Sequence, residues 1–114
     1  MLPNKVEVGF LIMTILELIR KGREQIDIKN YDDAINKCQR AVDLAYAEYS
    51  RLEADSASFP HDQQFNILYG EGGEGARLGK LLAAGHYALV KAYLGKGNKE
   101  LAKKSFKSLM NWDR

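Results

Sequence analysis

Apolar residues recur at three- and four-residue steps over four long stretches of this chain, and each stretch predicts an amphipathic helix. The first covers residues 6–29, with Val8, Leu11, Ile12, Ile15, Leu18, Ile19, Gly22 and Ile26 on one stripe. Phe10, Met13 and Leu16 lie off that stripe, so the first half of this helix is apolar on more than one side. A helix of that kind is either central or covered by something else. The second stretch ends near residue 54, where Asp55-Ser56-Ala57-Ser58 stops the pattern; its stripe is Tyr31, Ala34, Ile35, Cys38, Ala41, Val42, Ala45, Tyr49 and Leu52. Asn30 is its predicted N-cap, with Asp32 and Asp33 complementing the helix dipole. The third covers residues 76–94, with Leu78, Leu81, Leu82, Gly85, Leu89, Ala92 and Tyr93 on one side. Gly95-Lys96-Gly97-Asn98 then supplies a glycine stop and a new cap before the fourth, residues 99–111, expected to bury Leu101, Ala102, Phe106 and Leu109.

Residues 55–75 form the one long connection. Phe59, Phe65, Ile67, Leu68 and Tyr69 are too apolar for a free linker, so this segment is expected to fold back onto the helices. A short helical turn is expected to open at Ser58-Phe59-Pro60-His61, and the glycine run 70–75 to form a flexible end. Two tight hairpins, 6–54 and 76–112, joined by this crossover predict one all-α domain over 1–114, a four-helix antiparallel bundle. At 114 residues the chain can bury a core without staples, and its two prolines, Pro3 and Pro60, leave the long stretches free to be helical.

A lone cysteine, Cys38, excludes an internal disulfide and falls on an apolar stripe, which reads as a buried core thiol in a reducing cytoplasm. The most apolar run, residues 8–19, carries Thr14 and Glu17 and is too short to span a bilayer. No basic start and small-residue cleavage site marks a signal peptide, so a cytoplasmic, soluble protein is expected. Net charge is +2, but residues 1–74 hold 8 basic and 13 acidic side chains while residues 75–114 hold 9 basic and 2 acidic. Such asymmetry marks either a face for an acidic partner or nucleic acid, or two halves that face each other or solvent.

Chemistry-bearing motifs are sparse. Gly70-x-Gly72-x-x-Gly75 has the spacing of a dinucleotide loop, but Glu71 and Glu74 would repel a pyrophosphate and no strand leads in, so a hinge is expected and no cofactor. His61 and His86 are far apart and lack partners at metal-ligand spacing; no metal site and no catalytic constellation is expected. Lys96, Lys99, Lys103 and Lys107 form a basic strip at helical steps, with Lys104 beside them. Interleaved aromatics and a nucleic-acid motif are lacking, so a solvated face is the expectation, with nucleic-acid association as an alternative function.

The sequence Leu18-x2-Lys21-Gly22-x2-Gln25, then Tyr31-x2-Ala34-x3-Cys38-x2-Ala41, is echoed by His86-x2-Leu89-Val90-x2-Tyr93, then Ala102-x3-Phe106-x2-Leu109. Small residues at these offsets let antiparallel helices approach closely. Leu89, Tyr93, Gly97, Ala102 and Phe106 make the second hairpin resemble a tetratricopeptide repeat; Gly22, Tyr31, Ala34 and Ala41 make the first similar to it, with Lys21 and Gln25 where that repeat has Leu and Tyr. Residues 16–21 and 29–34 through Ala41-Val42 also resemble the first two helices of microtubule-interacting-and-transport domains. Asn30-Tyr31-x2-Ala34, Gly73-Glu74-x-Ala76 and Trp112 are similar to flagellin export chaperones. All three resemblances imply one class of activity, in which grooves between packed helices receive a peptide or helix of another protein.

The expected function is therefore a non-enzymatic, protein-binding adaptor or chaperone, with an export chaperone holding a secreted subunit's helical tail as an alternative. The candidate groove lies between the first and third predicted helices, bounded by residues 55–75. Phe10, Met13, Tyr87 and Tyr93 are its candidate anchors, since aromatics and Met bury large areas and Met repacks readily. Phe10, Met13 and Leu16 also suggest self-association through the first helix, unless residues 59–69 cover them.

Overall fold

The computed structural model describes residues 5–112 and is all-α, with no strand among the described residues. Four long helices match the four periodic stretches: α1 (Lys5–Asp27), α2 (Tyr31–Ser56), α4 (Glu74–Lys96) and α5 (Lys99–Trp112). The connection carries one more, α3 (His61–Tyr69), a complete helix where a single turn was expected. Helix ends differ from expectation by two residues or so, as fraying ends do.

The helices lie side by side in the order α1, α2, α4, α5, and the body measures 46 × 27 × 19 Å. α2 and α4 share the largest interface; α1 also reaches α4, whereas α1 and α5 do not meet. Tyr31 at the start of α2 meets Gly95 at the end of α4, and Val42 meets Gly85, so these two helices are antiparallel and α1 and α4 run parallel. The stripes become the core: Ile15, Leu52, Leu78, Leu82 and Leu89 are fully buried, each stabilising by about 1.5–3 kcal/mol. Glycine sets the separations. A Cβ at Gly22 would collide with the Cys38 sulfur, and one at Gly95 with the Tyr31 ring. The Trp112 side chain at the end of α5 reaches α2, standing edge-on to Tyr49 with centroids 4.9 Å apart.

The hairpin turns repeat each other at a spacing of 68 residues. Lys29 N–H donates to Ile26 C=O at 3.0 Å and Asn30 N–H to Gln25 C=O at 2.8 Å; Gly97 N–H donates to Leu94 at 3.0 Å and Asn98 N–H to Tyr93 at 2.8 Å. Both are Schellman closures with a left-handed residue, Lys29 at φ 63° and Gly97 at φ 84°. The caps differ. Asn98 Oδ1 accepts from Leu101 N–H at 3.1 Å, whereas the Asn30 side chain makes no cap bond and donates to Gln25 Oε1 at 2.9 Å.

Two further expectations are corrected. In α5, Ala102 and Ser105 are buried, but Leu101 and Phe106 are exposed, because no helix lies on that outer side. α3 packs on α4 and α2 and does not reach α1, so residues 59–69 leave Phe10, Met13 and Leu16 bare. Within the glycine run, a Cβ at Gly73 would lie 2.7 Å from the Asn66 carbonyl oxygen and one at Gly75 would strike the Leu68 backbone, so two of its glycines permit close approach to α3.

Candidate interaction surfaces

α1 has more apolar residues than one interface can take. Val8, Ile15 and Ile19 are buried, with Leu11, Ile12 and Leu18 packed beside them, and the surplus of Phe10, Met13 and Leu16 faces outward. Met13, Leu16 and Ile19 line a groove whose other wall includes Ala84 of α4. This is the seam between the first and third predicted helices, and Met13 belongs to it. Phe10, a turn before Met13, and Tyr87, a turn beyond Ala84, are exposed but do not line it. Tyr93 does not join them; it packs against the core instead. The connection does not border the groove either.

Part of the charge along this groove is paired within α1. Arg20 pairs with Glu17 and Glu24 on successive turns of α1, and Lys21 reaches Glu17 at 3.9 Å. The Arg20 hydrogen bond holds the Glu17 carboxyl below its usual range, and Glu17 in turn raises Arg20. Glu17 and Glu24 are thus satisfied within α1, and Arg23 and Asp27 add one further charge of each sign to the groove's lining. On α4, the Lys91 ammonium sits 5.5 Å from the Tyr87 ring centroid, a contact of about 0.5–1 kcal/mol at an exposed site.

A second groove runs between α4 and α5, about 430 Å³, floored by Val90, Leu94, Ala102 and Phe106. Lys99, Lys103 and Lys107 line its edge. The basic strip is thus divided: Lys96 leaves it to pair with Asp32 on α2, and the other three border apolar side chains. Leu94 was not among the residues singled out from sequence, and Val90 only as a member of the echoed motif. A signal for them existed, since the echo sets Val90 against Gly22 and Phe106 against Cys38, large residues where the first hairpin closes tightly. A third hollow, about 410 Å³, lies beneath Trp112 between Tyr49, Tyr69, Gly79 and Lys80.

Cys38 is fully buried, and burial pushes its thiol up to about 11. His86 is half-buried on α4; burial lowers its pKa against the opposing pull of Asp43 on α2, and its Nδ1 has no hydrogen-bond partner among the described residues. His61 is exposed at the start of α3. No group of three His, Cys, Asp or Glu side chains that could hold a metal ion occurs among the described residues. No described helix is long and apolar enough to cross a membrane.

Comparison of the chain with protein-family models, with curated proteins and with solved structures gives no match.

Proposed function

We propose that this chain is a non-enzymatic, cytoplasmic protein-binding module of two tetratricopeptide-like hairpins, acting as adaptor or chaperone for a helix or peptide of a partner. The observation that carries this reading is the exposed apolar row of α1, Phe10, Met13 and Leu16, beside the parallel helix α4 with its exposed Tyr87. Apolar surface gathered in a groove and rimmed by polar residues is the usual mark of an interaction site. The repeated hairpin turn supports the kinship: its 68-residue spacing is two periods of about 34 residues, the length of one tetratricopeptide unit. The same α1 row would also serve self-association, since α3 leaves it open.

The reading is tested by affinity capture with mass spectrometry, using the intact chain and a Met13→Asp/Tyr87→Asp variant of matched melting temperature. A partner captured by the first and lost by the second supports it. Equal capture by both removes the α1–α4 face from the site, and sedimentation showing a dimer that Met13→Asp dissolves reassigns that face to self-association.

A further inference from the structure

Because the two hairpins repeat at 68 residues, what covers the first indicates what is missing from the second. α4 sits on the first hairpin, its Gly85 against Val42 and the Cys38 carbonyl. The counterparts of Cys38 and Val42 are Phe106 and Met110. Cys38 and Val42 are 0% and 6% exposed; Phe106 and Met110 are 51% and 52% exposed. Ile26 packs against the core, while its counterpart Leu94 is exposed. At Cys38 and Val42 the second hairpin therefore keeps bare, and makes larger, positions that α4 covers on the first, while Tyr31, which meets Gly95, has Lys99 as its counterpart.

We infer that the outer groove of α4 and α5 docks an amphipathic helix of another protein, apolar on one face and acidic along its flank, seated on α5 as α4 is seated on α2. The shape comes from the internal template, in which the covering element is a helix antiparallel to the one beneath. The charge comes from Lys99, Lys103 and Lys107, with no acidic residue lining the groove. In that orientation the C-terminal end of the incoming helix, which carries partial negative charge, falls near Lys99.

A second copy of this chain fits the seat badly. Symmetric pairing of two such grooves would set one row of lysines against another. Head-to-tail stacking would present the outer face of α1; its exposed Phe10 and Met13 stand 68 residues before buried Leu78 and Leu81, but exposed Glu17, Lys21 and Glu24 stand before the buried Gly85, Leu89 and Ala92, the stretch of α4 that lies over Val42 and Cys38. α1 thus has charged side chains where α4 uses small and apolar ones to close on its neighbour.

The α4–α5 groove is a second site that goes beyond the α1–α4 face of the proposed function; docking there depends on Leu94 and Phe106 instead of Met13 and Tyr87, so the two fail separately. The probe is a fluorescein-labelled 18-residue peptide, about five helical turns, with Leu and Ala at three- and four-residue steps and Glu at the flanking positions. Its control has Lys in place of Glu. Fluorescence anisotropy with the full chain is expected to show the Glu peptide binding at least about tenfold tighter than the Lys peptide. Leu94→Asp and Phe106→Asp, at exposed positions, should each abolish binding with the melting temperature retained, and Lys103→Glu/Lys107→Glu should reverse the peptide preference. Equal binding of the two peptides, or unchanged affinity in Leu94→Asp and Phe106→Asp, overturns the proposal. So does sedimentation showing a dimer that Phe106→Asp dissolves, since the groove would then belong to a second copy.

Discussion

Gly85 on α4 is the most discriminating place to test how α2 and α4 meet. A Cβ added there would lie 2.7 Å from Val42 Cγ2, with Val42 Cβ at 3.9 Å and the Cys38 carbonyl oxygen at 4.0 Å. Carbon atoms prefer about 3.5–4.0 Å, so the first contact is roughly 1 Å too close. Val42 cannot swing aside cheaply, because a β-branched side chain in a helix holds one χ1 rotamer about 90% of the time. Against the clash stands a gain: Ala is about 0.8–1 kcal/mol better than Gly in a helix interior. Overpacking of a core costs about 1–3 kcal/mol, so Gly85→Ala should be net destabilising by up to about 2 kcal/mol. Gly79 on the same helix is the control. Its added Cβ meets only Trp112 Cε3 at 3.7 Å, an ordinary contact, so Gly79→Ala should stabilise by about 0.5–1 kcal/mol. Urea unfolding measures both. Val42→Ala removes the offending methyl, so in that background Gly85→Ala should turn from costly to favourable, a coupling of about 1–3 kcal/mol. If Gly85→Ala matches Gly79→Ala in sign, or the cycle is additive within about 0.5 kcal/mol, Val42 does not close on Gly85 and the α2–α4 register is wrong.

Three other outcomes follow from the geometry. Lys29 holds the left-handed position that Gly97 fills in the second hairpin, so Lys29→Gly should stabilise by about 0.5–1 kcal/mol and Gly97→Ala should destabilise by about 1 kcal/mol; thermal melts giving the same sign for both would contradict the turn assignment. Cys38, with its thiol at about 11, should react with Ellman's reagent at pH 8 only as fast as the protein opens; rapid labelling without denaturant would refute its burial. The folded pKa of His86 lies below its ordinary value, so the unfolded chain binds the proton more readily. Its contribution to stability is complete above about pH 6.5 and is lost as pH falls through that value toward the folded pKa, levelling off below it. His86→Gln should flatten that slope in urea titrations, and an unchanged slope would show that His86 is not the group responsible.

Much of this architecture is legible in the sequence because helices write their burial as a local period. The stripe from Ala34 to Leu52 marks α2, and the structure buries most of its members; Gly95-Lys96-Gly97-Asn98 marks the turn into α5, and the chain turns there. Gly22, Ala34 and Cys38 announce a close hairpin by size alone, and a Cβ at Gly22 has no room beside Cys38. These features are set by neighbours along the chain, and neighbours are what a sequence lists. The exposed apolar surplus of α1 is readable for the same reason, as residues that one stripe cannot hold.

Which side of a helix is covered depends on elements far away in the chain, and there the tertiary structure decided. Phe106 and Leu101 fall on an apolar period and still face outward, because no helix stacks on α5 as α4 stacks on α2. Tyr93 carries the aromatic size of an anchor, yet it packs inward against the core. Residues 59–69 are apolar enough to cover something, but whether that is α1 or α4 turns on the path between two hairpins, and the glycines at 70, 73 and 75 draw α3 against α4. The sequence by itself determined the helices, the tight turns and the surplus of apolar residues, since each follows from local spacing and side-chain size. Only the packed structure determined that the surplus gathers in two open grooves, one between parallel α1 and α4 and one between α4 and α5, because burial is a property of pairs of helices and not of one.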